Sequence, residues 1–145
     1  MIEMRFKLEF FDSAKVERAV GRARRRALSK AGAFVRQSAK TSIRKRKGSA
    51  PPGKPPHSHE GSLRRLIFFG YDRGTDSVVV GPVPFRAGTA PRALEFGGAT
   101  VVQRRRRGRV VRRRIRIESR PFMAPALERE TPNLPKAFRN SVRGN

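Results

Sequence analysis

The chain lacks cysteine and tryptophan, and only 11 of its 145 residues are acidic. Without cysteine there can be no disulfide, no thiol nucleophile and no cysteine-based zinc site. The N-terminus has no apolar segment of the kind found in signal peptides, and no apolar run approaches the roughly 20 residues that span a bilayer. We therefore expect a soluble protein that stays in the cytoplasm of the cell that makes it.

Positive charge dominates the composition. The chain has 35 lysines and arginines and a formal net charge of +24. Charge of one sign destabilises a compact chain through self-repulsion, so we expect an anionic partner such as nucleic acid or an acidic protein face. Hydrophobic residues make up 37% of the chain, which is enough for one modest core and one domain over residues 1–145.

Hydrophobic periodicity predicts an α+β fold. Apolar residues alternate over Met4–Phe10, which indicates a half-buried strand. An alanine-rich stripe at spacings of three and four then predicts one long helix from about Ser13 to Arg44, capped by Asp12 or Ser13. Residues 49–61 contain four prolines and two glycines, and we predict that they form an exposed arm or crossover.

The second half of the chain predicts two hairpins and short helices. Strands over 66–71 and 77–80 flank a turn, and a short helix over 90–96 ends at Gly97-Gly98. A long basic hairpin over 103–117 turns at Arg107-Gly108, and helices follow over 121–130 and after Thr131. The prediction is a long N-terminal helix packed on an antiparallel sheet of about four or five strands that includes both hairpins, with short C-terminal helices.

The basic hairpin is the strongest candidate for binding. It carries nine arginines and no acidic residue: Arg104, Arg105, Arg106, Arg107, Arg109, Arg112, Arg113, Arg114 and Arg116. Guanidinium groups pair with phosphate and with carboxylate alike, so DNA and a neighbouring subunit remain equal alternatives. If Arg112, Arg114 and Arg116 share one strand face, they form a ladder of positive charge. No motif for base-specific recognition is present.

Support for catalysis or a cofactor is thin. His57, His59 and Glu60 are acceptable metal ligands, but they lie in a proline-rich loop without a fourth ligand, and a flexible polar loop is the better account. Glu95 is the acid expected to be partly buried, and we expect it to pair with an arginine in its own subunit or in the next. The chain has no phosphate-binding glycine loop and no nucleophile motif, so we predict no enzyme activity, no metal and no cofactor.

Four stretches together resemble one protein family. They are a basic helix ending in Ala39-Lys40-Thr41-Ser42-Ile43, a Pro/Gly loop leading to Gly61-Ser62-Leu63-Arg64-Arg65, the segment Ala93-Leu94-Glu95-Phe96-Gly97, and the box Arg120-Pro121-Phe122-Met123-Ala124-Pro125-Ala126-Leu127. In this order they are similar to the neck, tail-completion or minor tail proteins of long-tailed double-stranded DNA phages. Members often have an aromatic residue just before the Glu-Phe-Gly segment, where this chain has Pro91-Arg92.

The resemblance implies a structural protein of the virion neck that is assembled in the host cytoplasm. The subunit would form a six-fold homo-oligomeric ring that completes the tail and joins it to the head, with DNA passing through the lumen. Its partners would be head-completion or connector proteins and tail terminator or tail-tube proteins. The resemblance carries over no catalytic residue, and its motif residues Glu95, Phe96, Gly97, Arg120, Pro121, Phe122, Met123 and Pro125 would be structural.

Two other readings of the sequence compete with the joining ring. The subunit could be a tail terminator that stops growth of the tail tube, since both roles use small α+β subunits in six-fold rings. It could instead be a sequence-independent nucleic-acid-binding protein, which predicts salt-sensitive binding by the isolated chain. An enzyme such as a nuclease would need clustered carboxylates for a metal, and the few acids of this chain are scattered.

Overall fold

The computed structural model describes residues 12–83, 90–139 and 141, and these form the predicted α+β fold. The helices in chain order are α1 (Ser13–Ser42), α2 (Ser62–Arg65), α3 (Ala90–Phe96), α4 (Ala124–Glu130), a 3₁₀ turn (Thr131–Asn133) and α5 (Leu134–Phe138). The strands are β1 (Ile67–Asp72), β2 (Ser77–Pro82), β3 (Gly98–Arg106) and β4 (Arg109–Ile117). The strand predicted over Met4–Phe10 lies outside the described residues.

Helix α1 organises the fold. Asp12 caps it, because its carboxylate accepts a hydrogen bond of 2.9 Å from the backbone N–H of Lys15. The helix ends at Ser42, slightly before the predicted Arg44, since Ile43 takes an extended backbone with φ −82° and ψ 110°. The predicted alanine stripe is buried at Ala23, Ala27, Ala31 and Ala39. Among the described helices none has a stretch apolar enough to cross a membrane.

The first hairpin lies directly on α1. A Cβ atom at Gly32 would stand 2.6 Å from Val78 Cγ1 and 3.1 Å from the ring of Phe69, so a residue without a side chain permits the contact. At one end of the hairpin Arg24 pairs with Asp76, and at the other Arg36 Nε donates to the Ile67 carbonyl over 2.8 Å. Strand β1 therefore runs antiparallel to α1, and β2 runs parallel to it.

The core lies where α1 meets the short helices. Its largest fully buried side chains are Phe122, Ile43 and Ile67. They form one cluster with Val35, Ala39, Leu63 and Ala126, and Val80, Leu94 and Met123 pack against it. Phe122, from the Arg-Pro-Phe-Met box, thus joins the end of α1 to the start of the first hairpin.

The described residues contain four strands, as expected, but these form two two-stranded sheets and not one. Strands β1 and β2 pair with each other, β3 and β4 pair with each other, and no ladder joins the two pairs. Helix α3 separates β2 from β3 in the chain, and Gly97 turns the backbone at a φ of +76° before β3 begins. The outer half of the second hairpin carries arginines on both faces, so it has no apolar face to pack on a larger sheet.

The Pro/Gly-rich loop over 49–61 crosses the body with most of its residues exposed. Ala50, Pro56 and Ser58 are nevertheless buried. The Ser58 N–H donates to the Arg44 carbonyl over 3.0 Å, and the Gly53 N–H donates to the Ser119 carbonyl over 2.9 Å. These hydrogen bonds hold the loop against the body of the protein, as is expected of a crossover connection.

Candidate interaction surfaces

Glu95 is the residue that joins the two motifs of the resemblance. Its Oε2 accepts hydrogen bonds from the backbone N–H groups of Phe122 (2.9 Å) and Met123 (3.0 Å), and its Oε1 accepts from Ala124 (2.9 Å). These are the free donors at the start of α4, which has no cap from its own side chains. Glu95 therefore caps α4 from another helix, and we call this arrangement the clasp.

Within residues 12–83, 90–139 and 141 no arginine forms an ion pair with Glu95, and the expected pairing with an arginine of the next subunit stays a prediction. The three backbone N–H groups, with the positive end of α4 behind them, satisfy the carboxylate. The sequence held one signal for this contact. The stretch Pro121-Phe122-Met123 leads into α4 without a serine, threonine, aspartate or asparagine at the cap position, so an outside acceptor was needed.

A second set of hydrogen bonds surrounds the clasp. The Arg120 N–H donates to the Leu94 carbonyl over 2.6 Å, and the Ser119 hydroxyl donates to the Glu95 carbonyl over 2.8 Å. The Arg120 side chain donates from Nε to the Ala50 carbonyl over 2.6 Å, which holds the proline-rich loop. Arg120 is thus a structural residue that is mostly buried, and its guanidinium is not aimed at an outside anion.

Gly97 forms the turn between α3, which carries Glu95, and the start of β3. Its backbone has a φ of +76°, and a Cβ there would lie 3.3 Å from the Ser119 nitrogen and 3.5 Å from the Ile117 carbonyl oxygen. Both the conformation and the close backbone favour glycine. Phe96, just before it, is 78% exposed, which is unusual for a large aromatic side chain. Pro125 lies in the first turn of α4, where a missing N–H is tolerated, and Pro121 is half-buried.

The basic hairpin is confirmed, and its arginine ladder exists. Arg112, Arg114 and Arg116 alternate along β4 and so project from one face of the hairpin. Their partners on β3 are Gln103, Val101 and Ala99, which add no charge to that face. Successive ladder residues are about 6.8 Å apart. The turn places both Arg107 and Gly108 at positive φ, as a two-residue hairpin turn requires.

The hairpin changes character along its length. Near its base Thr100 is buried and Ile115 and Ile117 are half-buried, so this end packs on the body. Further out the described side chains are exposed, including those of Arg105, Arg106, Arg107, Arg109, Arg112, Arg113 and Arg114; Arg104 pairs with Val111 through the backbone. The structure thus brings these arginines together on one projection and places the motif residues Glu95 and Phe122 in the body.

The histidines of the loop do not gather with acids. His57 is half-buried and bridges to Arg44 through the backbone, whereas His59 and Glu60 are exposed. In the described ranges no three histidine, aspartate or glutamate side chains lie together as metal ligands would.

An apolar groove of about 850 Å³ is a feature that sequence patterns did not predict. Its floor is α1, one wall is β2, and the other wall is formed by α3, α4 and α5. The lining is almost entirely apolar, and it includes Phe96 together with Glu95. A groove of this kind is typical of a binding surface for an apolar segment.

Comparison of the chain with family models, with curated proteins and with solved structures finds no match.

Proposed function

We propose that this chain is a structural virion protein of a tailed-phage neck, a ring subunit that completes the tail and joins it to the head while DNA passes through the lumen. The clasp carries the proposal. The two stretches on which the family resemblance depends, Glu95–Gly97 and Arg120–Met123, are far apart in the chain yet form one hydrogen-bonded unit. Because the two stretches hold one structural element together, a protein that keeps one of them has a physical reason to keep the other. This supports treating the pair as a family signature. The proposal gives the chain no catalytic role.

The exposed apolar surface supports assembly. Phe96 stands 78% exposed beside the apolar groove, and Leu127 on the same groove is half exposed. Rings are built from heterologous contacts, in which one patch of a subunit meets a different patch of the next. We propose that the surface around Phe96 contacts the next copy in a six-fold ring, with connector and tail proteins above and below.

The charge distribution supports the same role. The basic hairpin projects away from the core, so its arginines are free to meet DNA in a lumen or an acidic face on an adjacent ring. Neither contact needs a specific base sequence, and no element of the described residues is arranged to read bases.

The decisive experiment is electron microscopy of particles made by a phage that lacks this gene. Full heads beside separate tails of normal length would support a joining ring, whereas tails of uncontrolled length would favour the alternative of a tail terminator. Normal infectious particles would refute both. The same phage can be complemented with variants of the gene. We expect Phe96→Ser to fail to restore joined particles. Phe34→Ser, which changes an exposed phenylalanine outside the groove, should restore them.

The arginine ladder favours a second candidate, a sequence-independent nucleic-acid-binding protein. This candidate predicts that the isolated chain binds duplex DNA with an affinity that falls steeply as salt rises. Replacing all three ladder arginines with alanine should weaken binding. It should also reduce the slope of log K against log[salt] by about 3 if each arginine contacts one phosphate. The control removes the same charge from the exposed face of α1, at Arg18, Arg22 and Arg26. Equal loss in both variants would mean that only net charge matters.

A further inference from the structure

The apolar groove lies along one edge of β2. Five consecutive residues of that strand, from Val78 to Pro82, line the groove, and no residue of β1 does. Consecutive side chains of a strand point to opposite faces, so a groove that meets all five contacts the strand at its edge. Strand β1 occupies the other edge, and within the described residues no third strand joins the pair. The edge of β2 in the groove is therefore open to another strand.

The backbone of β2 directs hydrogen-bonding groups into the groove. Hydrogen-bonded and non-hydrogen-bonded pairs alternate along an antiparallel ladder. The Val83 N–H donates to the Leu66 carbonyl over 2.9 Å, so that pair is hydrogen-bonded. By alternation, Val78 and Val80 belong to pairs of the other kind, and their N–H and C=O groups point away from β1. Ile67 of β1 is in a pair of that kind too, and its carbonyl accepts a hydrogen bond from a side chain of α1, outside the ladder.

The floor of the groove suits apolar side chains. Three apolar residues of α1 form it, Leu28, Ala31 and Val35. The edge from Val78 to Pro82 is about 14 Å long at 3.4 Å per residue, so about five residues of an added strand lie beside it. Every second side chain of that strand would be buried on the floor, and the side chains between them would face outward.

The charged residues of the groove define the charge of its occupant. Among the lining residues that the structure describes, only Glu95 and Arg92 are charged. The carboxylate of Glu95 is already satisfied by the three backbone N–H groups of the clasp. Arg92 is exposed, and across the described ranges it forms no ion pair and no hydrogen bond. The groove therefore presents one uncompensated positive charge, which a carboxylate of the occupant would neutralise.

A second copy of this chain is a poor source of that carboxylate. The chain has a net charge of +24, so two copies repel each other. Several of its few acids are also engaged within the fold. Asp76 pairs with Arg24, and Glu130 accepts a hydrogen bond from the Ser38 hydroxyl. Asp72 accepts hydrogen bonds within its own turn. The charge of the groove thus favours a different protein as the occupant.

We propose that the groove binds an extended segment of a different, acidic protein, which adds a strand to the free edge of β2. Main-chain hydrogen bonds to Val78 and Val80 hold the segment, as in other complexes formed by strand addition. Its apolar side chains pack on α1, and its outward side chains include an acid that pairs with Arg92. The proposal needs only the strand edge, the floor and Arg92, so it does not depend on the role in a phage neck.

Fluorescence anisotropy of the full chain with labelled synthetic peptides tests the proposal. The first peptide has about nine residues in which valine alternates with glutamate, the pattern of a strand with one apolar and one acidic face. The control peptide has the same composition, with the valines and the glutamates in two separate blocks. Both peptides carry the same charge, so attraction to a basic protein is equal for the two. We expect the alternating peptide to bind at least about tenfold more tightly, a difference of 1.4 kcal/mol.

Backbone methylation of the peptide tests strand pairing without changing the protein. The N–H groups of alternate strand residues point to the same edge, so methylating the nitrogens of all valines or of all glutamates blocks one edge only. We expect one of these two forms to keep the affinity of the alternating peptide. The other should bind at least about tenfold more weakly, because it loses the hydrogen bonds to β2.

A pair of arginine variants tests the charge. Arg92→Gln should weaken binding of the alternating peptide by about tenfold, the loss expected for one charge-assisted hydrogen bond. Arg26→Gln removes the same charge from an exposed position of α1 outside the groove, and it should leave the affinity almost unchanged. Both arginines are exposed, so both variants should keep the Tm of the parent protein.

Each part of the test can overturn the proposal. Equal binding of the alternating and block peptides would mean that net charge alone attracts them. Equal effects of the two methylated forms would exclude a strand at the edge, and equal effects of the two arginine changes would exclude Arg92. Failure of the alternating peptide to bind, or dissociation of an oligomer by the peptide in sedimentation velocity, would mean that this chain or a second copy fills the groove. Particles carrying Phe96→Ser test the role in the phage neck separately, so either proposal can fail without the other.

Discussion

Replacing Glu95 with alanine removes all three hydrogen bonds of the clasp at once. The donors at Phe122 and Met123 are partly buried, and hydrogen bonds to a charged acceptor contribute about 1.5–3 kcal/mol each. Water can reach the third donor, on the exposed Ala124, so its loss costs less. Because Glu95 is itself only half-buried, we expect Glu95→Ala to destabilise the protein by about 2–4 kcal/mol, a size similar to the loss of a strong helix cap plus one buried bond.

Glu95→Gln should cost about half as much as the alanine change, since one amide oxygen still accepts while the NH₂ group meets an N–H donor. Urea unfolding followed by circular dichroism measures both effects, and the Tm should fall by about 8–15 °C for the alanine variant. Glu128→Gln is the control, because it removes the same charge from an exposed position on α4. A stability of Glu95→Ala within about 0.5 kcal/mol of the parent would refute the clasp as a stabilising element.

Three further predictions concern single positions in the body. Gly32→Ala should destabilise by about 1–3 kcal/mol because its Cβ would overlap Val78, whereas Gly21→Ala in the same helix has open space and should stabilise by about 0.5–1 kcal/mol; thermal melts compare them. Burial, followed by two nearby arginines, lowers the pKa of Lys40, so Lys40→Met should raise the Tm at pH 7, and the gain should vanish as pH rises past the ordinary lysine value. Hydrogen bonds from a threonine hydroxyl and a glycine N–H lower the pKa of Asp72, so Asp72→Asn should lower the Tm at neutral pH and make no difference at a pH below the folded-state value.

Periodicity was enough to predict the elements. The alanine stripe located α1 to within two residues at its C-terminal end, and Gly97-Gly98 marked the end of α3 correctly. Both signals are local, because the apolar face of a helix and the residue that ends it are determined by residues close together in the sequence. The turn at Arg107-Gly108 was found for the same reason, since turn chemistry depends on adjacent residues.

Contacts between distant residues were not predictable in the same way. Nothing beside Glu95 in the sequence shows that its carboxylate meets backbone donors at 122–124, because backbone N–H groups carry no residue-specific mark. The separation of the two hairpins and the apolar groove depend on how elements pack, which a single sequence does not record. The burial of Phe122 is easier to account for from the sequence, since a large aromatic side chain at the start of a helix is a candidate for the core.

The clasp has a consequence for how this protein can change over evolutionary time. It ties residue 95 to residues 122–124, and the whole basic hairpin lies between these two points of attachment. A hairpin inserted between fixed ends can lengthen, shorten or change its charge with little effect on the body that carries it. A hairpin held in this way can change to suit a different partner without disturbing the clasp, because the hydrogen bonds of the clasp involve no residue of the hairpin.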